Sequence, residues 1–166
     1  MLAILVSVAA ILMLVAGGAK VIRPDSATDA LGLAGLVVAP IAVRLGAAIE
    51  VLVALTALVV PGPIPSLLVG VSFLLFAGFV LLLRRMPGVE SCGCFGTSDE
   101  PPSMRHVIVN LLIASGCIVA AVVGSSSAGS LLRADWSSGL LFFMISLTAA
   151  WLVGLLLRSS PWAVRS

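Results

Sequence analysis

The chain has 166 residues, of which 61% are hydrophobic and 10% charged, with a mean hydropathy of +1.27 and a formal net charge of +2. This is the composition of an integral membrane protein, and it leaves no stretch for a separate soluble domain. The charge is too small to suggest a nucleic-acid partner.

Crossing the hydrocarbon takes about 20 predominantly apolar residues, so a chain of this length with short connections holds roughly four to six spans. The apolar runs are continuous and do not alternate, which favours helices over a barrel. The first span is expected over residues 2–17, ended by Gly17-Gly18 and followed by Lys20 and Arg23. No basic residue precedes it, so it reads as an uncleaved helix, with a cut near Ala19 as the alternative. After Arg23-Pro24-Asp25, Ser26 and Asp29 have the spacing of a capping box, opening a short amphipathic segment that lies in the interface and runs to about Val38.

Pro40 suits the first turn of a second span over 41–60, and Pro61-Gly62-Pro63 then forces a hairpin into a third span over 66–83. Arg84-Arg85 stops that span, and residues 86–103 form the longest polar interruption in the sequence. Ser103 is placed to cap a fourth span over 104–123, and a glycine- and serine-rich linker, 124–129, follows. A fifth span over 138–157 lies between Trp136 and Trp162, which fit an interfacial aromatic belt. The expected fold is therefore an all-α integral membrane protein of about five transmembrane helices in one membrane domain.

The polar interruption carries Ser91-Cys92-Gly93-Cys94-Phe95-Gly96. Two thiols one residue apart can close a small strained disulfide ring or clasp one soft metal ion, since the thiolate is the reactive form for both. Gly93 and Gly96 permit so tight a backbone. A lone Cys-x-Cys lacks the second ligand pair of a zinc site, so the metal alternative is a Cu(I)-type carrier with Cys92 and Cys94 as ligands and Cys117 or Met104 as an onward ligand.

Polar residues within the spans form a second layer, because burying them in hydrocarbon is costly. Glu50 stands about ten residues into the second span, roughly 15 Å along the axis and near the midplane. His106, Asn110 and Cys117 share one face of the fourth span, beginning at the cysteine loop. Each has a plainer reading beside the functional one. Asn110 can bond a neighbouring helix, Cys117 can be an inert core residue, and a histidine at a helix start is ordinarily exposed. Arg44, one turn into the second span, can reach the headgroups.

These residues resemble the MauE branch of the DoxX-like membrane proteins. The resemblance rests on Ala16-Gly17-Gly18-Ala19-Lys20, Arg23-Pro24-Asp25, Glu50, the Ser91–Gly96 motif and Asn110, and it spans residue 10 to about 120. Where an Arg-Asn pair is expected in the fourth span, Val109 precedes Asn110, and Arg105 stands one turn earlier. The resemblance implies a four-helix core with an additional C-terminal helix. It also implies a redox protein of the plasma membrane that works with a thioredoxin-like partner to make or maintain disulfides in exported proteins.

By architecture the chain is also similar to DsbB and vitamin K epoxide reductase, which join a cysteine pair to a quinone. The expected chemistry is attack of a partner thiolate on a Cys92–Cys94 disulfide, with electrons leaving to a lipid-soluble acceptor such as a membrane quinone. Glu50 and Asn110 are candidate groups lining its pocket, and Glu50 and His106 are candidate catalytic groups beside the cysteines. The alternatives are the soft-metal carrier and a non-catalytic assembly subunit of a membrane complex.

Five spans put Lys20, Arg23, Arg84, Arg85, Arg105, Arg158 and Arg165 on the side of the cysteine loop, against Arg133 on the other. The charges therefore predict a cytosolic cysteine loop, whereas similarity to DsbB predicts an outer one.

Overall fold

A computed structural model describes residues 2–86, 102–124 and 126–158. The segment holding Cys92 and Cys94 lies outside the described residues, as do Trp162 and Arg165. Seven helices follow in order: α1 (Leu2–Ile22), α2 (Asp25–Leu33), α3 (Pro40–Val59), α4 (Pro63–Arg84), α5 (Met104–Val123), α6 (Ala128–Ala134) and α7 (Trp136–Arg158). Five of them, α1, α3, α4, α5 and α7, are long and apolar enough to cross a membrane. No strand occurs among the described residues.

The expected spans are present, with informative shifts at their ends. α1 does not stop at Gly17-Gly18 but continues to Ile22, which carries Lys20 into its last turn. Glycine breaks a helix chiefly where water competes for the backbone, and in a membrane helix it serves close packing instead. A β-carbon added at Gly17 would lie 3.1 Å from Ala47 O and 3.3 Å from Glu50 Cβ, so the missing side chain lets α1 and α3 touch. α2 begins at Asp25, after Pro24, without a side-chain cap, so the Ser26–Asp29 capping box does not form.

Pro40 opens α3 as its first residue. Gly62, at φ +141°, makes the turn into α4, which starts at Pro63, three residues before the expected boundary. α5 has the expected limits. The linker after it holds the unexpected short helix α6, whose Ser127 and Ser130 form a reciprocal capping box. Ser127 Oγ and an Arg133 guanidinium nitrogen each donate to Val59 O, at 3.2 and 3.1 Å, which satisfies a carbonyl at the exposed C-terminus of α3. Asp135 then caps α7 by accepting from the amides of Ser137 and Ser138. Hydrogen bonds from the Ser138 and Ser137 side chains hold its carboxyl below the usual range.

α1 packs chiefly on α3, and α4 on α5. Contacts of α1 with α5 and of α3 with α4 close a four-helix bundle, and α7 lies against α1. The core is built largely from small residues, with Ala9, Ala10, Ala54, Ala114 and Ala120 buried around Met13 and Phe73. In a bilayer the helices gain nothing by hiding leucine from lipid, so backbone proximity, not side-chain bulk, holds them together. Bulky leucines and isoleucines such as Leu52, Leu75 and Leu112 face outward. Hydroxyls within the spans bond back along their own helices, as Thr56 does to Leu52 O at 2.8 Å and Ser146 to Phe142 O at 2.9 Å.

Candidate functional site

Glu50 has a partner in the last turn of α1, beyond the expected end of that span at Gly17-Gly18. Lys20 Nζ lies 2.7 Å from one Glu50 carboxylate oxygen and 2.9 Å from the other, bridging α1 and α3. The two side chains are 13% and 20% exposed, so the pair is largely removed from solvent. Lys20 Nζ also sits 4.9 Å from the ring centroid of Phe76 on α4, a cation–π contact. Lys20 is the only lysine in the chain. That singularity, one turn beyond an apolar run, was the available signal, and it was masked because Gly17-Gly18 read as the end of the helix.

Two cavities meet at Lys20. The larger, of about 350 Å³, lies between α2, α3 and α4, with Lys20 and Glu50 set in an otherwise apolar lining that includes Ala27 and Leu31 of α2, Ala42, Val43, Gly46 and Ala47 of α3, and Phe76 and Phe79 of α4. The smaller, of about 40 Å³, lies among α1, α4, α5 and α7, and is lined by Lys20, Phe76, His106 and Asn110. It has room for a few waters at most. Lys20 and Phe76 therefore form the partition between them.

His106 corrects an expectation: it is buried at 7% exposure, and its Nδ1 lies 2.7 Å from Ser103 Oγ. Ser103 does occupy the N-cap position of α5, but its hydroxyl turns to the imidazole and not to a backbone amide. Asn110, one turn further, faces the same small cavity and has no hydrogen-bond partner among the described residues. Glu50 and Asn110 thus line different cavities, with Lys20 between them. Cys117 continues the stripe in sequence only. It is fully buried where α5 meets α4, beside Gly70, and faces neither cavity.

Of the two alternative onward ligands for a soft metal, Met104 is exposed at the start of α5, and Cys117 is fully buried roughly 20 Å along the helix axis from it. Among the described residues no three His, Cys, Asp or Glu side chains gather as a metal site would require. Arg44 is exposed, as its place near the headgroups requires.

Lys20, His106, the aromatic end of α4 and the start of α3 all belong to one end of the bundle. The end of α4 and the start of α5 are also where the cysteine-bearing segment leaves and rejoins the fold. A family model described as methylamine utilisation protein MauE matches residues 1–126. The chain belongs to the MauE family. The matched region takes in α1 to α5, hence the whole four-helix bundle, the Lys20–Glu50 pair, the buried histidine and the Ser91–Gly96 motif. It ends before α6 and α7, so in this MauE-family protein the fifth span is an addition laid against α1. No match is found among curated proteins or among solved structures. The five apolar spans and the family together make this a multi-pass membrane protein.

Proposed function

We propose that this MauE-family protein is a thiol–disulfide redox protein of the plasma membrane, in one membrane domain, exchanging electrons through Cys92 and Cys94 with a thioredoxin-like partner. In the oxidised protein the two sulfurs form a disulfide. A thiolate of the partner attacks one of them, giving a mixed disulfide and releasing the other as a thiolate. The second partner thiol resolves that bond, so the partner leaves as a disulfide and Cys92 and Cys94 are reduced. Reoxidation passes two electrons and two protons to a lipid-soluble acceptor of the quinone class, held between helices near Lys20 and Glu50. His106 is placed by Ser103 to take a proton at the end of the bundle where the cysteine segment rejoins α5. Exchange of this kind serves the formation or maintenance of disulfides in exported proteins.

The observation that carries the reading is the Cys-Gly-Cys motif in the segment that joins α4 to α5, at the end of the bundle where Lys20 and the buried His106 lie. The motif supplies the redox couple, and the polar groups beneath its anchor points supply sites for protons. The test is to express Cys92→Ser and Cys94→Ser separately and resolve the membranes without reductant. Each variant is expected to remain in the membrane and lose activity, and at least one to trap a thioredoxin-like protein as a reducible adduct. Full activity in both variants overturns the reading.

A further inference from the structure

We infer that the cavity between α2, α3 and α4 is a binding site for an uncharged, flat, ring-shaped ligand that enters from the bilayer and hydrogen-bonds the Lys20–Glu50 pair. This deepens the functional reading above, on which the ligand's redox role rests, but the site itself is argued from its own walls.

The volume of about 350 Å³ falls at the small end of ligand cavities, enough for one or two fused rings and not for a lipid headgroup with its chains. On the α3 side the lining is Ala42, Val43, Gly46 and Ala47, mostly small, and on the α4 side it is Phe76 and Phe79 with Leu75. Small residues opposite aromatic rings leave a slot, and a slot selects a planar guest that can stack. At Gly46 an added β-carbon would meet no atom within 4 Å, so the space beside it is open. Leu75, at the rim, is 68% exposed on the outer surface of a membrane-spanning helix, so the slot opens toward lipid.

Charge decides the ligand class. An ammonium has three donors, of which Lys20 gives two to Glu50, leaving one N–H, while each carboxylate oxygen keeps acceptor capacity. The pair therefore offers one donor and one strong acceptor side by side, with no net charge. A phosphate would be attracted by Lys20 and repelled by Glu50 at nearly the same distance, so an anionic headgroup is disfavoured. A neutral ring bearing a carbonyl accepts from Lys20, and one bearing a hydroxyl can also donate to Glu50. Quinones and quinols are membrane-soluble molecules of this chemistry. In this site Lys20 and Glu50 are ligand-contacting residues, and Gly46 sets the width of the slot.

The full-length protein in phosphatidylcholine nanodiscs is photolabelled with an azido-1,4-naphthoquinone, and the labelled peptides are mapped by mass spectrometry. Label is expected on the 42–50 and 75–79 stretches, to be competed by 2-methyl-1,4-naphthoquinone, and to fall at least about ten-fold in Gly46→Leu, which fills the slot without touching the ion pair. The variant's thermal melt shows that it is folded, and should it not assemble, competition in the native sequence decides alone. The Cys92→Ser/Cys94→Ser protein is expected to label as the native one does, so the site stands even where the thiol reading fails. Label spread evenly over lipid-facing helices, label competed by phosphatidylglycerol and not by the naphthoquinone, or label unchanged in folded Gly46→Leu each overturns the site. A trapped thioredoxin-like adduct beside any of these results would leave the thiol reading in place.

Discussion

Replacing Lys20 by methionine removes one member of an ion pair that the fold has largely withdrawn from water. Deleting one partner of a fully buried pair costs about 3–5 kcal/mol, because a charge is stranded. An exposed pair is worth about 0–1 kcal/mol. With side chains 13% and 20% exposed and both carboxylate oxygens bonded to one nitrogen, the pair belongs nearer the buried limit. Lys20→Met is therefore expected to destabilise the bundle by about 2–3 kcal/mol. Glu50→Leu is expected to cost somewhat less, about 1.5–2.5 kcal/mol, because the ammonium keeps its contact with the Phe76 ring.

The double variant exchanges the pair for two apolar side chains in a lipid-facing cleft, and such exchanges are often nearly neutral. It should lose no more than about 1–2 kcal/mol, leaving a coupling of about 2–4 kcal/mol. The assay is a double-mutant cycle, unfolding the protein in mixed micelles with increasing sodium dodecyl sulfate and following helicity by circular dichroism. Single-substitution effects that sum to the double variant's within about 0.5 kcal/mol would mean that Lys20 and Glu50 act as independent sites and that the buried pair does not hold.

Activity should separate two polar groups within the spans: Glu50→Gln is expected to impair partner oxidation severely, and Cys117→Ser to leave it nearly native, which a complementation assay reads directly. Gly17→Val should cost about 1–3 kcal/mol, since a β-carbon there already crowds Ala47 O at 3.1 Å, whereas Gly46→Ala should be neutral or gain up to about 1 kcal/mol in a thermal melt. The positive-inside bias predicts that a membrane-impermeant maleimide leaves Cys92 and Cys94 unlabelled in intact, mildly reduced cells and labels them after lysis. Labelling without lysis would place the cysteine loop outside, so that the thiols it oxidises would be those of an exported partner and not of a cytosolic electron donor.

Much of this fold was legible because a bilayer imposes one rule on every span: continuous apolar length with the backbone satisfied internally. The limits of α5, the proline start of α3 and the hairpin at Gly62 all followed from residues that act locally. The ion pair did not, because it joins residues 30 positions apart, and nothing local marks which face of α1 will meet α3. Gly17 hid it twice, reading as a helix end while it serves as the point of contact that brings Glu50 beside Lys20. The burial of His106 was missed for a similar reason. A first-turn histidine is exposed unless a partner holds it inward, and here the Ser103 hydroxyl pairs with the imidazole and not with a backbone amide of the helix end. α6 escaped notice because serine and glycine read as linker, and its helix forms only with its caps tied to the end of α3.

The most direct test of a redox role is the state of the thiols in freshly isolated membranes, read by alkylation before and after reduction and resolved by mass. Cys92 and Cys94 are expected to be protected until a reductant is added, to become protected again when oxidised naphthoquinone is supplied, and to carry no metal. Cys117, sealed between α4 and α5, should alkylate only after denaturation and identically in both states. Free Cys92 and Cys94 thiols that no oxidant converts to a disulfide, or a stoichiometric soft metal bound to them, would contradict it.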